Sequence, residues 1–206
     1  TTSLTLQGAS DSSTVVFGGQ AGNSTTAFTG NIVATGVGGV VTLSGDAADA
    51  VGHSVTGSIG ATGTANYLGT INVANDNTDG ATTTDVHTAT INVFADTIAF
   101  SATGTSGSTT VGGTFKSTCA STCSTTFGDV TTAVDGDGTL HYVNANVNTG
   151  SVTGSIGTSS AALKEVIMDA STAALNLDVA GNIYATTLTM DGAGNANLTV
   201  SGTEAT

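Results

Sequence analysis

The heptapeptide Ser54-Val55-Thr56-Gly57-Ser58-Ile59-Gly60 recurs unchanged as Ser151-Val152-Thr153-Gly154-Ser155-Ile156-Gly157. After each copy comes a turn of small residues and then an apolar run, Leu68-Gly69-Thr70-Ile71-Asn72-Val73 in one case and Leu163-Lys164-Glu165-Val166-Ile167-Met168 in the other. A second pair is Gly30-Asn31-Ile32-Val33-Ala34-Thr35 and Gly181-Asn182-Ile183-Tyr184-Ala185-Thr186. Repeated short strand units bury their apolar sides against one another, so that contacts run mainly between neighbours, as in a solenoid. The spacing of the units is irregular, and no strict rung length can be read from it.

The rest of the chain carries the same signal. Short apolar or β-branched runs occupy Ser3–Gln7, Thr14–Phe17, Ala27–Ala34, Val40–Leu43, Ser54–Ile59, Tyr67–Val73, Thr88–Val93 and Thr97–Ala102. They continue as Thr109–Phe115, Val130–Val134, Leu140–Val147, Ser151–Ile156, Lys164–Met168, Ala174–Val179, Ile183–Met190 and Ala196–Val200. Gly, Asn, Asp and Ser separate them, and runs of this length between turn residues are strand signals. Alternation in Ala196-Asn197-Leu198-Thr199-Val200 puts one set of side chains inward and the other outward. Only Ser160–Val166 has helical character, and it is too short to hold a helix by itself. The chain is expected to be one all-β domain over residues 1–206. A parallel β-helix is the first expectation. A β-sandwich or jelly roll of the pilus-subunit type is the alternative, with Thr1–Gln7 either a donated strand or, the preferred reading, an ordinary first strand.

The V-T-G-S-I-G unit followed by L-x-x-I-x-V resembles repeats in the passenger regions of bacterial autotransporters, including the large rickettsial surface proteins. It is also similar to other β-strand-repeat surface and surface-layer proteins. The resemblance is specific over about 50 residues and compositional elsewhere. It implies a right-handed parallel β-helix displayed outside the cell, in adhesive or coat-forming roles. A membrane barrel needs many strands with aromatic girdles, and aromatics make up only 4% of this chain.

Composition excludes several partners. The chain has 15 acidic and two basic side chains, a formal charge of −13, and the two bases are Lys116 and Lys164. Nucleic-acid binding needs several Lys or Arg to neutralise phosphates. An anionic membrane surface and phosphoryl transfer make similar demands. No run of about 18 apolar residues offers a transmembrane helix. A first residue Thr1 in place of Met suggests a processed or truncated form.

Cys119 and Cys123 are four apart, without the extra Cys or His that zinc requires and without C-x-x-C redox spacing. A local disulfide is expected, with two buried free thiols as the alternative. A disulfide would place the protein in an oxidising compartment. Asn23-Ser24-Thr25 and Asn197-Leu198-Thr199 fit the glycosylation sequon, and together these features point outside the cell.

Asn75-Asp76-Asn77-Thr78-Asp79-Gly80 sets oxygen ligands on alternate residues before a Gly, the shape of a calcium loop. Asn75, Asn77, Asp79 and the nearby Asp85 are the candidate ligands. The other reading is an Asn/Asp turn that satisfies its own backbone. Asp135 and Asp137 form a weaker carboxylate pair, where Asp-Gly also reads as a turn. Catalysis has little footing. The 13 Asp are dispersed, Glu165 and Glu204 are the only Glu, and His53, His87 and His141 have no partner by motif. Each His is expected in a turn or on the surface. Thr62/Thr64, Thr82/Thr84, Thr88/Thr90, Thr103/Thr105 and Thr187/Thr189 match an ice-binding tripeptide but lack constant spacing.

The function expected is structural: a secreted protein that assembles with copies of itself into a filament or surface layer, with calcium as its one candidate cofactor. Small uncharged side chains lose little rotamer entropy when surfaces meet, and strand edges lack the Lys and Pro that normally guard them. The alternative is a non-enzymatic adhesin that binds glycans or a host surface. An ice-binding solenoid is a more remote one.

Overall fold

The computed structural model describes residues 3–7, 13–18, 27–36, 38–44, 53–63, 67–75, 86–90, 92–102, 113–119, 123–144, 148–171 and 173–203. Within them every regular element is a strand. The first nine are β1 (Ser3–Gln7), β2 (Thr14–Phe17), β3 (Ala27–Thr29), β4 (Asn31–Thr35), β5 (Gly38–Ser44), β6 (Ser54–Thr56), β7 (Leu68–Asn75), β8 (Val86–Ala89) and β9 (Val93–Ala102). The others are β10 (Thr114–Cys119), β11 (Ser124–Thr132), β12 (Asp137–Asn144), β13 (Asn148–Val152), β14 (Leu163–Asp169), β15 (Leu175–Val179), β16 (Ala185–Asp191) and β17 (Ala196–Val200).

From β5 onward successive strands go alternately to two sheets. An eight-stranded sheet runs β17-β15-β13-β11-β9-β7-β5-β2, and a seven-stranded sheet runs β16-β14-β12-β10-β8-β6-β3. β1 pairs with β4. All of these strand pairings are parallel. The molecule is therefore a parallel β-solenoid, and the sandwich alternative falls. A sandwich is built from antiparallel hairpins, whereas here each strand pairs with its counterpart one turn later. The first strand pairs within its own chain.

The core is a set of stacked columns. Val41, Ile71, Ile98, Val130, Ile156 and Ile183 lie in register, 26–32 residues apart, and none is more than 5% exposed. Ala95, Phe127, Val152, Val179 and Val200 form a second column. Each turn thus contributes one inward residue per column, because side chains alternate along every strand. The uneven spacing has a simple origin. Turn length varies in the connections between strands, while the columns hold register.

The duplicated heptapeptide marks one corner of this solenoid. A Cβ at Gly57 would collide with the carbonyl oxygen of Gly30, and one at Gly154 with the side chain of Asp129 and the carbonyl of Gly128. Only Gly fits such close backbone approach. The next residue is held from the turn before: Ser58 N–H donates to Asn31 Oδ1 at 3.0 Å and Ser155 N–H to Asp129 Oδ1 at 2.8 Å. Ile59 and Ile156 then point inward, fully buried. The corner repeats in sequence because its geometry repeats.

Ser160–Val166, too short for a helix, forms a turn and the start of β14, the strand expected at Lys164–Met168, whose buried residues Leu163, Val166 and Met168 continue the columns. Tertiary pairing on both sides outweighs a weak helical preference. One local reading changes. β11 starts six residues before the expected Val130, running through Gly128 and Asp129 because both edges of the strand are paired.

Candidate functional site

Among the described residues β16 is the last strand of the seven-stranded sheet and β17 the last of the eight-stranded one, so each is paired there on one edge. The inward column His87, Phe115, Leu140, Val166 ends on Leu188, and Tyr142 and Met168 lead to Met190. Phe115, Leu140, Val166, Tyr142 and Met168 are fully buried, but Leu188 is 45% and Met190 51% exposed. They continue the core columns, and among the described residues no strand lies beneath them. Leu198 and Val200 end the neighbouring columns and are half-buried.

An edge like this is a template for another strand, and proteins usually guard it with Lys, Pro or a covering element. Here the two end strands carry one charge, Asp191, and no Lys or Pro. At the other end β1, β2 and β3 are the outermost strands among the described residues and are uncharged; inward Val15 and Phe17 of β2 are half-buried, and the rings of Phe17 and Phe28 lie 5.8 Å apart.

A second cluster lies inside. His53 and His87, 34 positions apart in sequence, are 2% and 0% exposed and stack with ring centroids 5.3 Å apart at 19°. Both were expected on the surface or in turns, and the structure corrects this. His87 occupies the inward position filled by Phe115 in the next turn. His53 N–H donates to His87 Nδ1 at 3.3 Å, which leaves His87 Nε2 to donate to the Ala74 carbonyl at 3.2 Å. His53 Nε2 lies 2.6 Å from the Ser44 carbonyl, and its Nδ1 has no partner. Burial pulls the pKa of His87 down to about 4, with the Ala74 bond opposing and His53 adding to the fall. Alternation over four residues of β8 places His87 inward, but nothing in the sequence pairs it with His53.

His141 is half-buried on the outer face, beside Lys116 on one strand and Ile167 on the other. Burial lowers its pKa, Lys116 adds to this, and Asp169 and Glu165 oppose it. Glu165 accepts a 2.5 Å hydrogen bond from the Thr189 hydroxyl. Thr88 and Thr189 share this outward register, but Lys116, His141 and Ile167 separate them, so no continuous Thr ladder forms there.

Asn77, Asp79 and Asp85, the Asn75 side chain and Asn23 lie outside the described residues. Asp135 is an exposed turn residue whose Oδ1 accepts the Ala162 N–H at 2.8 Å, and Asp137 is buried at the start of β12. Among the described residues no group of three or more His, Cys, Asp or Glu is placed to hold a metal ion. Cys123 is buried, and among the described residues no cysteine is free; the Cys119 side chain lies outside them. Asn197 is exposed on β17 and bonds Asn176 through its amide at 2.9 Å.

Comparison with protein-family models, curated proteins and solved structures returns no match. A functional reading rests on geometry alone.

Proposed function

We propose that this is an extracellular structural protein whose solenoid units join end to end into a filament or surface layer. One observation carries the reading: Leu188 and Met190 are inward core residues left exposed on an unguarded parallel edge. The occupant that fits is the β2 and β3 end of a second copy, which has the same columns and no charge. Burying the half of Leu188 and of Met190 that is still exposed contributes about 1 kcal/mol each before association costs, and the backbone edges gain partners.

The opposing force is the formal charge of −13 on every copy. Screening or bridging cations would offset it, so assembly should strengthen with salt or millimolar calcium. Asn75, Asn77, Asp79 and Asp85 remain the calcium candidates. Electron microscopy of concentrated protein, with and without calcium, tests the reading. Regular fibres or lattices are expected, and monodisperse monomers under all conditions overturn it.

A further inference from the structure

We propose that the stacked His53–His87 pair is an acid-sensitive lock, closed while His87 is neutral, that ties the start of β6 to the end of β5 and β8 to the end of β7. The lock is independent of end-to-end assembly.

The two rings do something that other residues in the column do not. In later turns the same inward position is filled by Phe115, Leu140 and Val166, so apolar side chains suffice to pack it. The imidazoles add polar bonds at particular places. His53 immediately precedes β6 and reaches back to the carbonyl of Ser44, the last residue of β5. His87, on β8, reaches back to the carbonyl of Ala74 near the end of β7. Each ring therefore ties together the two ends of a connection, 45–52 in one case and 76–85 in the other. The bond from His53 N–H to His87 Nδ1 links the two ties.

A second proton on His87 would land on Nδ1, the atom that accepts this bond. The acceptor becomes a donor facing a donor, and a cation is left in the core beside another imidazole. Among the described residues of the strands around the pair, no carboxylate compensates for it. Among the strands around the pair, β5, β6, β7, β8 and β10, the one charged side chain is Lys116, which lies in the outward register with His141. The Asp residues of 45–52 and 76–85 lie outside the described residues. Among the described residues, His53 is the titratable group that acts on His87.

The sign follows from linkage. His87 is held near pKa 4 while the ties are made and returns toward its ordinary 6.5 when they break. The open form thus takes up a proton that the closed form refuses. The closed form is fully favoured above about pH 6.5, and opening grows up to tenfold for each pH unit lost toward about pH 4.

Hydrogen exchange tests this on the intact chain, with protection factors measured at about pH 7.5 and about pH 5 to remove the intrinsic pH effect. Amides of β5–β8 are expected to lose more than tenfold protection at the lower pH, while those of β14–β17 hold theirs. His87→Phe, which copies the residue one turn on, should remove most of that loss. Unchanged protection of β5–β8 in the native protein, or an equal loss in His87→Phe, overturns the proposal. Should the variant fail to fold, imidazole NMR of the native chain decides. A His87 resonance that titrates near its ordinary pKa with β5–β8 still protected also overturns the lock.

Discussion

Met190 stands in register on Met168, yet Met168 is fully buried and Met190 is 51% exposed. The two share residue type and column and differ only in having a turn beneath them. Met168→Ala should cost about 2–5 kcal/mol of stability by leaving a cavity. Met190→Ala in the isolated chain should cost within about 0.5 kcal/mol. Denaturant unfolding of the two variants checks the contrast.

The same open end predicts an assembly phenotype. Leu188→Lys with Met190→Lys sets two ammonium groups where a second copy would bury apolar side chains. The melting temperature should barely move, while fibres disappear in electron micrographs and sedimentation returns monomer. Undiminished fibre formation would mean that assembly, if it occurs, uses another surface.

The repeated corner tolerates no side chain. Gly57→Ala drives a Cβ into the Gly30 carbonyl and Gly154→Ala drives one into Asp129. Backbone cannot move aside as a flexible side chain does, so Gly57→Ala should cost about 1–3 kcal/mol or more. Gly18, exposed with nothing within 4 Å of an added Cβ, is the control and should be near neutral. Thermal melts of the three variants measure the difference.

The hydroxyls of Tyr142 and Thr125 lie beside each other in the core, at the margin of hydrogen-bond geometry. Burial pushes the Tyr142 phenol far above its ordinary pKa, with Thr125 only partly opposing. Tyr142→Phe removes a desolvated hydroxyl and leaves the ring, so stability should stay level or rise by up to about 1 kcal/mol. Phe127→Ala, in the neighbouring column, should lose about 3–5 kcal/mol. Parallel denaturant titrations compare them.

Global stability should also depend on pH through His87. Its folded pKa is depressed to about 4, so its contribution is complete above about pH 6.5 and falls away as pH drops toward about 4. The loss amounts to roughly 3 kcal/mol over that window. Urea unfolding at a series of pH values should show this slope in the native chain and a much shallower one in His87→Phe.

Much of the architecture is legible in the residues themselves. Alternating β-branched runs locate nearly every strand, and the Val-Thr-Gly-Ser-Ile-Gly unit names a corner that only Gly can turn. These are local demands: pleat alternation and close backbone approach act over a few residues, so a single segment records them. The shortage of Lys, Arg and Pro likewise fixes an unguarded β surface before any folding is considered.

Tertiary structure decided the rest, because it depends on which turn lies above which. Parallel register brings His53 and His87 into contact across 34 positions, and turn lengths that vary hide that register from any sequence period. Burial follows the same logic. Met168 and Met190 read alike in sequence, and only the end of the stack makes one core and the other surface.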